Sequence, residues 1–140
     1  MTTAEVANQF VALCREGRFL HAVETLYDDA VVSVEPMDYQ GMGREIHGRE
    51  AVMNKNRLWF DENEVHSSSV TGPFVSPERF AVSYSFDWTR KASGERLILE
   101  EIAVYTVTSG KISREEFLYS DLRVNGTSLS VGLWGGGSPT

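Results

Sequence analysis

A chain of 140 residues with 41% hydrophobic and 11% aromatic content is long enough to bury one core around one internal pocket and too short for two domains of ordinary size. Its net charge of -7 and pI near 4.9 argue against nucleic acid and anionic membranes as partners, because a phosphate-binding surface needs clustered Lys and Arg, and the 13 here are scattered. No stretch approaches the roughly 20 apolar residues of a membrane span, and MTTAEVANQF lacks a basic segment followed by an apolar run, so a cytoplasmic location is expected.

Thr2 to Glu5 fits a capping box, after which Val6, Phe10 and Leu13 recur at helical spacing until Gly17 stops the helix. A second, shorter helix carries Phe19, Val23 and Leu26 and ends at Tyr27-Asp28-Asp29, before the β-branched run Val31-Val32-Ser33-Val34. Met37 to His47 is rich in Gly and polar residues, which predicts a mobile loop at a pocket mouth, with His47 in a position to touch a ligand. Gly48 leads into a third helix over 49–61. There Val52, Lys55 and Trp59 share one face, which turns Lys55 toward the sheet or lets it snorkel past the rim.

Strands follow over 65–74 and 79–89. In the second, Phe80, Val82, Tyr84, Phe86 and Trp88 alternate with small or polar residues and are expected to face inward. Cys14, the one cysteine, reads as a small buried hydrophobe, and His21, His47 and His66 have no metal-ligand spacing. The chain divides into a domain over 1–123 and a Gly/Ser-rich tail over 124–140, in which Leu133 and Trp134 are the residues able to rest on a surface.

Leu97 to Tyr119 reads as a long β-hairpin, and its register decides the chemistry. A three-residue Thr108-Ser109-Gly110 loop with Gly110 left-handed pairs Val107 with Lys111. It sets Leu99, Glu101, Ala103, Tyr105 and Val107 on one face with Ser113, Glu115, Phe117 and Tyr119. A two-residue Ser-Gly loop pairs Val107 with Ile112 and exchanges Glu115 for Glu116, because one residue of slip flips every side chain. The three-residue loop is favoured. The opposite face then shows Ile98, Ile102, Val104, Ile112 and Leu118, too much apolar area to stay wet on a small monomer. A homodimer through that outer face is expected, with partial cover by the tail as the alternative.

The segments FVALCREGRFLHAVETLYDDAVV, GREAV, GPFV followed by RFAVSYSFDWT, and EEIAVYTVTSGKISREEFLY span roughly residues 5 to 121. In this order they resemble the SnoaL-like branch of the nuclear transport factor 2-like superfamily. The resemblance implies an α+β cone, three N-terminal helices packed on a curved, mostly antiparallel sheet, and kinship with ketosteroid isomerase and polyketide cyclases. The isomerase uses an aspartate base and an oxyanion hole of Tyr and protonated Asp. Laid on this chain, that pattern puts Phe10 at the tyrosine, Ala103 at the oxyanion aspartate and the base at Val34 or, with one gap, Glu35. Two of the three parts are absent, so steroid isomerisation by that mechanism is not expected.

What remains is another set of polar groups aimed at the cone: Glu101, Glu115, His66 and Lys55 as candidate catalytic residues. Trp59, Tyr84, Phe86, Trp88, Tyr105, Phe117 and Tyr119 are candidate ligand-binding residues. A carboxylate in an apolar wall must be paired, protonated or used on a ligand. Glu101 is the candidate base for abstracting a proton next to a carbonyl, with a tyrosine or lysine holding the oxyanion. The expected ligand is a small, apolar or carbonyl-containing molecule; the expected chemistry is isomerisation, cyclisation or dehydration, with no metal or organic cofactor. The alternatives are a buried ion-pair network in which Lys55 lies between Glu101 and Glu115 and does no chemistry, a non-catalytic binder, and an interaction module built on the outer sheet face.

Overall fold

The computed structural model describes residues 1–38, 41 and 43–129. Helix α1, Thr3–Arg15, begins where the sequence places it: the Thr2 hydroxyl accepts from Glu5 N at 3.1 Å and Glu5 Oε1 accepts from Thr2 N at 2.9 Å. These two bonds satisfy donors that a helix start otherwise leaves unpaired. Val6, Phe10, Val11 and Cys14 line its buried face. Helix α2, Phe19–Leu26, runs straight into β1, Tyr27–Val34. After β2, Glu45–His47, helix α3, Arg49–Glu62, buries Val52, Met53 and Lys55.

Four long strands complete the chain: β3 Asn63–Val75, β4 Arg79–Arg90, β5 Arg96–Thr108 and β6 Lys111–Val124, followed by the short β7 Thr127–Leu129. The sheet order is β2-β1-β6-β5-β4-β3, with β7 on β6. Every pairing is antiparallel except β1 with β6. The three helices pack on this curved sheet, α1 over β3 and β4 and α3 against β1, β2 and β3. The architecture is the expected α+β one. On β4 the period-2 pattern holds: Phe80, Val82, Tyr84 and Trp88 are buried, and Phe86 is packed against the same core.

The β5/β6 turn differs from the expectation. Val107 faces Ile112 and Thr108 faces Lys111 across a two-residue Ser109-Gly110 turn, with both central residues at positive φ, 51° and 76°. That is the primed turn whose twist matches a hairpin. The register then shifts between Thr106 and Val107, so that Thr106 faces Arg114 and Tyr105 faces Glu115. Ser113 is the extra residue of a bulge, and the bulge cancels the slip the shorter turn introduces. Glu115 therefore faces inward after all, 2% exposed. Ile112 does not lie on the outer face: it sits opposite Val107 in the core, fully buried.

The reading of the loop before His47 is corrected too. The segment read as a loop up to His47 ends in β2, which pairs antiparallel with β1 through Val32 and His47. His47 there is exposed and paired with Glu45 at 3.2 Å. The boundary at 123/124 falls inside the sheet, since β6 runs to Val124 and Thr127 pairs with it. Leu133 and Trp134 lie outside the described residues.

Candidate functional site

The concave side of the sheet and the three helices enclose a cavity of about 180 Å³. Three inward rows of cross-strand neighbours lie under it, and Tyr105, Glu115, Phe117, Tyr84, Glu101 and Tyr119 from these rows line it. One runs Phe80, Tyr105, Glu115 and Ser33 across β4, β5, β6 and β1; the next is Val82, Ala103 and Phe117; the third is Tyr84, Glu101 and Tyr119. Ala103, fully buried, puts only a methyl group between the two polar rows. Over these rows, α1 supplies Phe10, α2 Phe19 and Val23, and α3 Lys55, Asn56, Trp59 and Phe60. Trp59 meets Trp88, Phe86 and Phe60 at centroid distances of 5.5, 6.1 and 5.2 Å, so one end of the cavity is walled by rings.

At the other end is a closed polar network. Lys55 Nζ donates to Ser33 Oγ and to Glu35 Oε1, both at 2.8 Å, and lies 3.6 Å from Glu115 Oε1. Ser33 in turn donates to Glu115 Oε1 at 2.8 Å, and the Tyr27 hydroxyl donates to Glu115 Oε2. Burial alone would lower the Lys55 pKa, but the carboxylates of Glu115 and Glu35 outweigh it and hold the ammonium above its ordinary range. Lys55 also lies over the Phe117 ring, 5.2 Å from its centroid. With both Glu115 oxygens hydrogen-bonded and Lys55 held by Ser33 and Glu35, Lys55 and Glu115 form an ion-paired scaffold.

Glu101 is different. It is 8% exposed and lines the cavity, yet no hydrogen bond to its carboxyl is present among the described residues. Burial first, then the charges of Glu35 and Glu115, push its pKa up to about 8 against an opposing pull from Lys55. Lys55 is thus committed to Glu35 and Glu115 rather than standing between Glu101 and Glu115. Nearby, the Tyr84 and Tyr105 hydroxyls share a 2.7 Å hydrogen bond, with Cys14 Sγ 3.9 Å from Tyr84. Burial keeps both phenols well above their ordinary pKa, so each retains its proton. One of those protons bridges the pair and the other is left to donate elsewhere.

Glu101, Glu115, Lys55, Trp59, Tyr84, Phe86, Trp88, Tyr105, Phe117 and Tyr119 all line this one cavity. His66 does not. Asn63 and Val65 take the inward parity of β3, and His66 is the extra residue in a bulge between Val65 and Ser67, exposed and 2.6 Å from Thr89 Oγ1. The network members not predicted from their own strand are Tyr27 and Ser33; Glu35 had entered only through the family resemblance. Val31, Ser33 and Glu35 lie two apart, a parity that marks one face of a strand and its continuation. Among the described residues no group of three His, Cys, Asp or Glu side chains is disposed to hold a metal ion, and no helix is long and apolar enough to cross a membrane.

Residues 1–119 match the SnoaL-like domain. The chain belongs to the SnoaL-like family. A solved structure from Mesorhizobium loti, provisionally assigned as a SnoaL-like polyketide cyclase with carbohydrate phosphatase as a bracketed description, is 40% identical. Its superposition covers 85% of this chain and all of that one, with a TM-score of 0.80. A ketosteroid isomerase-like protein of Catenulispora acidiphila, solved in complex with trimethylamine, is 18% identical with a TM-score of 0.64, covering 85% and 88% of the two chains. A computationally designed 17-OHP binder is 19% identical with a TM-score of 0.66, covering 89% and 97%. The last two share the fold. No curated protein matches the chain.

Proposed function

We propose that this SnoaL-like protein binds a small, mostly apolar molecule bearing a carbonyl or hydroxyl group in its cone and moves a proton on it, with Glu101 as the proton-exchanging group. The observation that carries this reading is the buried Glu101 carboxyl, which has no hydrogen-bond partner among the described residues while the acid on the next strand is fully engaged. A structural acid in such a place would be paired; an acid kept free and raised to about 8 is poised for transfer near neutral pH.

In the step proposed, ionised Glu101 takes a proton from carbon next to the carbonyl. The C–H electron pair moves into an enolate, whose oxygen accepts from the spare proton of the Tyr84 and Tyr105 pair. Return of the proton from Glu101 to a different carbon gives isomerisation; attack of the enolate carbon on a second carbonyl of the same ligand, whose oxygen takes that proton, gives cyclisation; loss of a β-hydroxyl as water, protonated by Glu101, gives dehydration. Ring walls from Trp59, Phe86 and Trp88 exclude water and hold the apolar body of the ligand. Phe10 and Ala103 stand where the isomerase pattern requires Tyr and Asp, so any oxyanion donor here comes from other positions.

Deuterium incorporation next to the carbonyl, followed by NMR in heavy water across a panel of small cyclic ketones, tests the reading. Wild-type protein should catalyse exchange and Glu101→Gln should abolish it while ketone binding persists. Binding without exchange in the wild type would leave a non-catalytic binder, and neither would defeat the cavity reading. The same proposal includes a homodimer through the convex face, where Ile102 and Leu118 are cross-strand neighbours, 41% and 50% exposed.

A further inference from the structure

Counting charge in the cavity wall exposes an imbalance. Three carboxyl groups, Glu35, Glu101 and Glu115, line it against a single ammonium, Lys55. Lys55 is shared between Glu35 and Glu115, leaving Glu101 with none. Glu35 also has unused capacity: its Oε1 takes Lys55, and no partner for Oε2 is present among the described residues. Both Glu35 and Glu101 are 8% exposed, and both line the cavity. Trp59 and Trp88, in ring contact with each other, line the same cavity. Ring faces attract cations through their quadrupole, as Lys55 over Phe117 already illustrates in this pocket.

From this geometry we infer that the ligand is a small organic ammonium compound, its cationic end lying between the Glu35 and Glu101 carboxyls and the rings of Trp59 and Trp88. The inference rests on the reading of the cone as a ligand site and adds the ligand's charge. A neutral guest would leave the excess of acid uncompensated in a low-dielectric pocket; a cation relieves it and meets ring faces at the same time. The ionisable groups facing Glu101 from the surrounding elements are Glu35, Lys55, Tyr84, Tyr105, Glu115 and Tyr119. Of these only Lys55 is cationic. Burial first, and then the charges of Glu35 and Glu115, keep Glu101 protonated; a bound ammonium opposes those two charges, so binding shifts the resting acid toward its ionised form. Amino ketones and related ammonium carbonyl compounds would thus arm the group that acts on them.

Calorimetric titration of the full chain with choline chloride and with its uncharged carbon isostere, 3,3-dimethyl-1-butanol, separates charge from shape. Choline should bind at least about tenfold tighter. Repeating the titration at pH 7 in buffers of different ionisation enthalpy should reveal proton release on choline binding. Glu101→Gln, which leaves the Lys55 network untouched, should remove both the release and most of the preference. Equal or tighter binding of the isostere would overturn the inference while leaving the cavity reading in place. Failure of both probes to bind at millimolar concentration would defeat the two together.

Discussion

Lys55 Nζ lies 2.8 Å from Glu35 Oε1, with the two side chains only 4% and 10% exposed. The pair joins the middle of α3 to the end of β1, and through Ser33 and Glu115 it reaches β6. Removing the cation from such a cluster leaves two buried carboxylates without their main counter-charge. Lys55→Met should therefore cost about 3–5 kcal/mol, read as a lowered urea midpoint. A loss below about 1 kcal/mol would mean that water compensates the site. Because the Lys55 pKa is raised in the fold, its contribution is present in full below its ordinary 10.5 and is lost as pH rises from there through the folded value. Titration of Lys55 itself should therefore add no pH dependence to the gap between wild type and variant from about pH 6 to pH 9.

Glu101 has linkage of the same sign in a lower pH window. Its folded pKa of about 8 stands above the ordinary 4.5, so between those values the native state holds a proton that the unfolded chain releases. Stability should fall as pH rises from about 5 to 8, by on the order of a few kcal/mol. In Glu101→Gln that slope should flatten, and the variant should be the more stable protein at pH 8. Denaturation curves at pH 5.5 and 8 check both signs. If wild type and variant respond to pH in parallel, Glu101 is not a buried acid with a raised pKa.

Catalysis should follow the same group in the other direction. A Glu101 base works only when ionised, so the rate of ketone exchange should climb with pH, reach half its maximum near 8 and level off above that. Glu101→Gln should leave no pH-dependent rate, whereas Tyr105→Phe should lower the rate and preserve the profile, since it removes a donor to the oxyanion and not the base.

Local pattern made most of the fold legible, because capping boxes, helical spacing and strand alternation are statements about neighbours in sequence. The α1 start at Thr2 and the inward set on β4 are cases of this. Glu115 faces inward as expected, but across a two-residue turn and not the three-residue one. A two-residue turn moves the register by one, and the bulge at Ser113 moves it back, so two unseen steps cancelled. The roles of Ser33 and Glu35 were illegible for another reason: they depend on β1 running parallel beside β6, a pairing between segments some eighty residues apart that no local pattern announces. His66 was misplaced because its parity is set by Val65 opposite Trp88.

The turn itself is testable. Ser109 holds φ at 51°, a left-handed conformation that Asn adopts more readily, and Asn-Gly is the preferred pair for such a turn. Ser109→Asn should raise stability by up to about 1 kcal/mol. Gly110→Ala should lower it by about 1–2 kcal/mol, since φ is 76° there and an added Cβ would lie 2.9 Å from Met1 N. Thermal unfolding of the two variants should move the midpoint in opposite directions. A shift of the same sign in both would contradict the assigned turn.

The outer sheet face supports a final prediction. Ile102 and Leu118 face each other across β5 and β6 on the side away from the cavity, 41% and 50% exposed, with the half-buried Val104 beside them. Contiguous apolar area of this kind on a strand interior is usually covered by a partner, and a second copy of the same twisted face is the self-complementary way to cover it. Sedimentation of the wild type should give a dimer, and Leu118→Lys, which sets like charges against each other across a two-fold contact, should give a folded monomer with an unchanged far-ultraviolet spectrum. Because Leu118 points away from Glu101, choline binding should survive in that monomer. A wild type that sediments as a monomer at all concentrations would remove the dimer and leave the cavity argument where it stands.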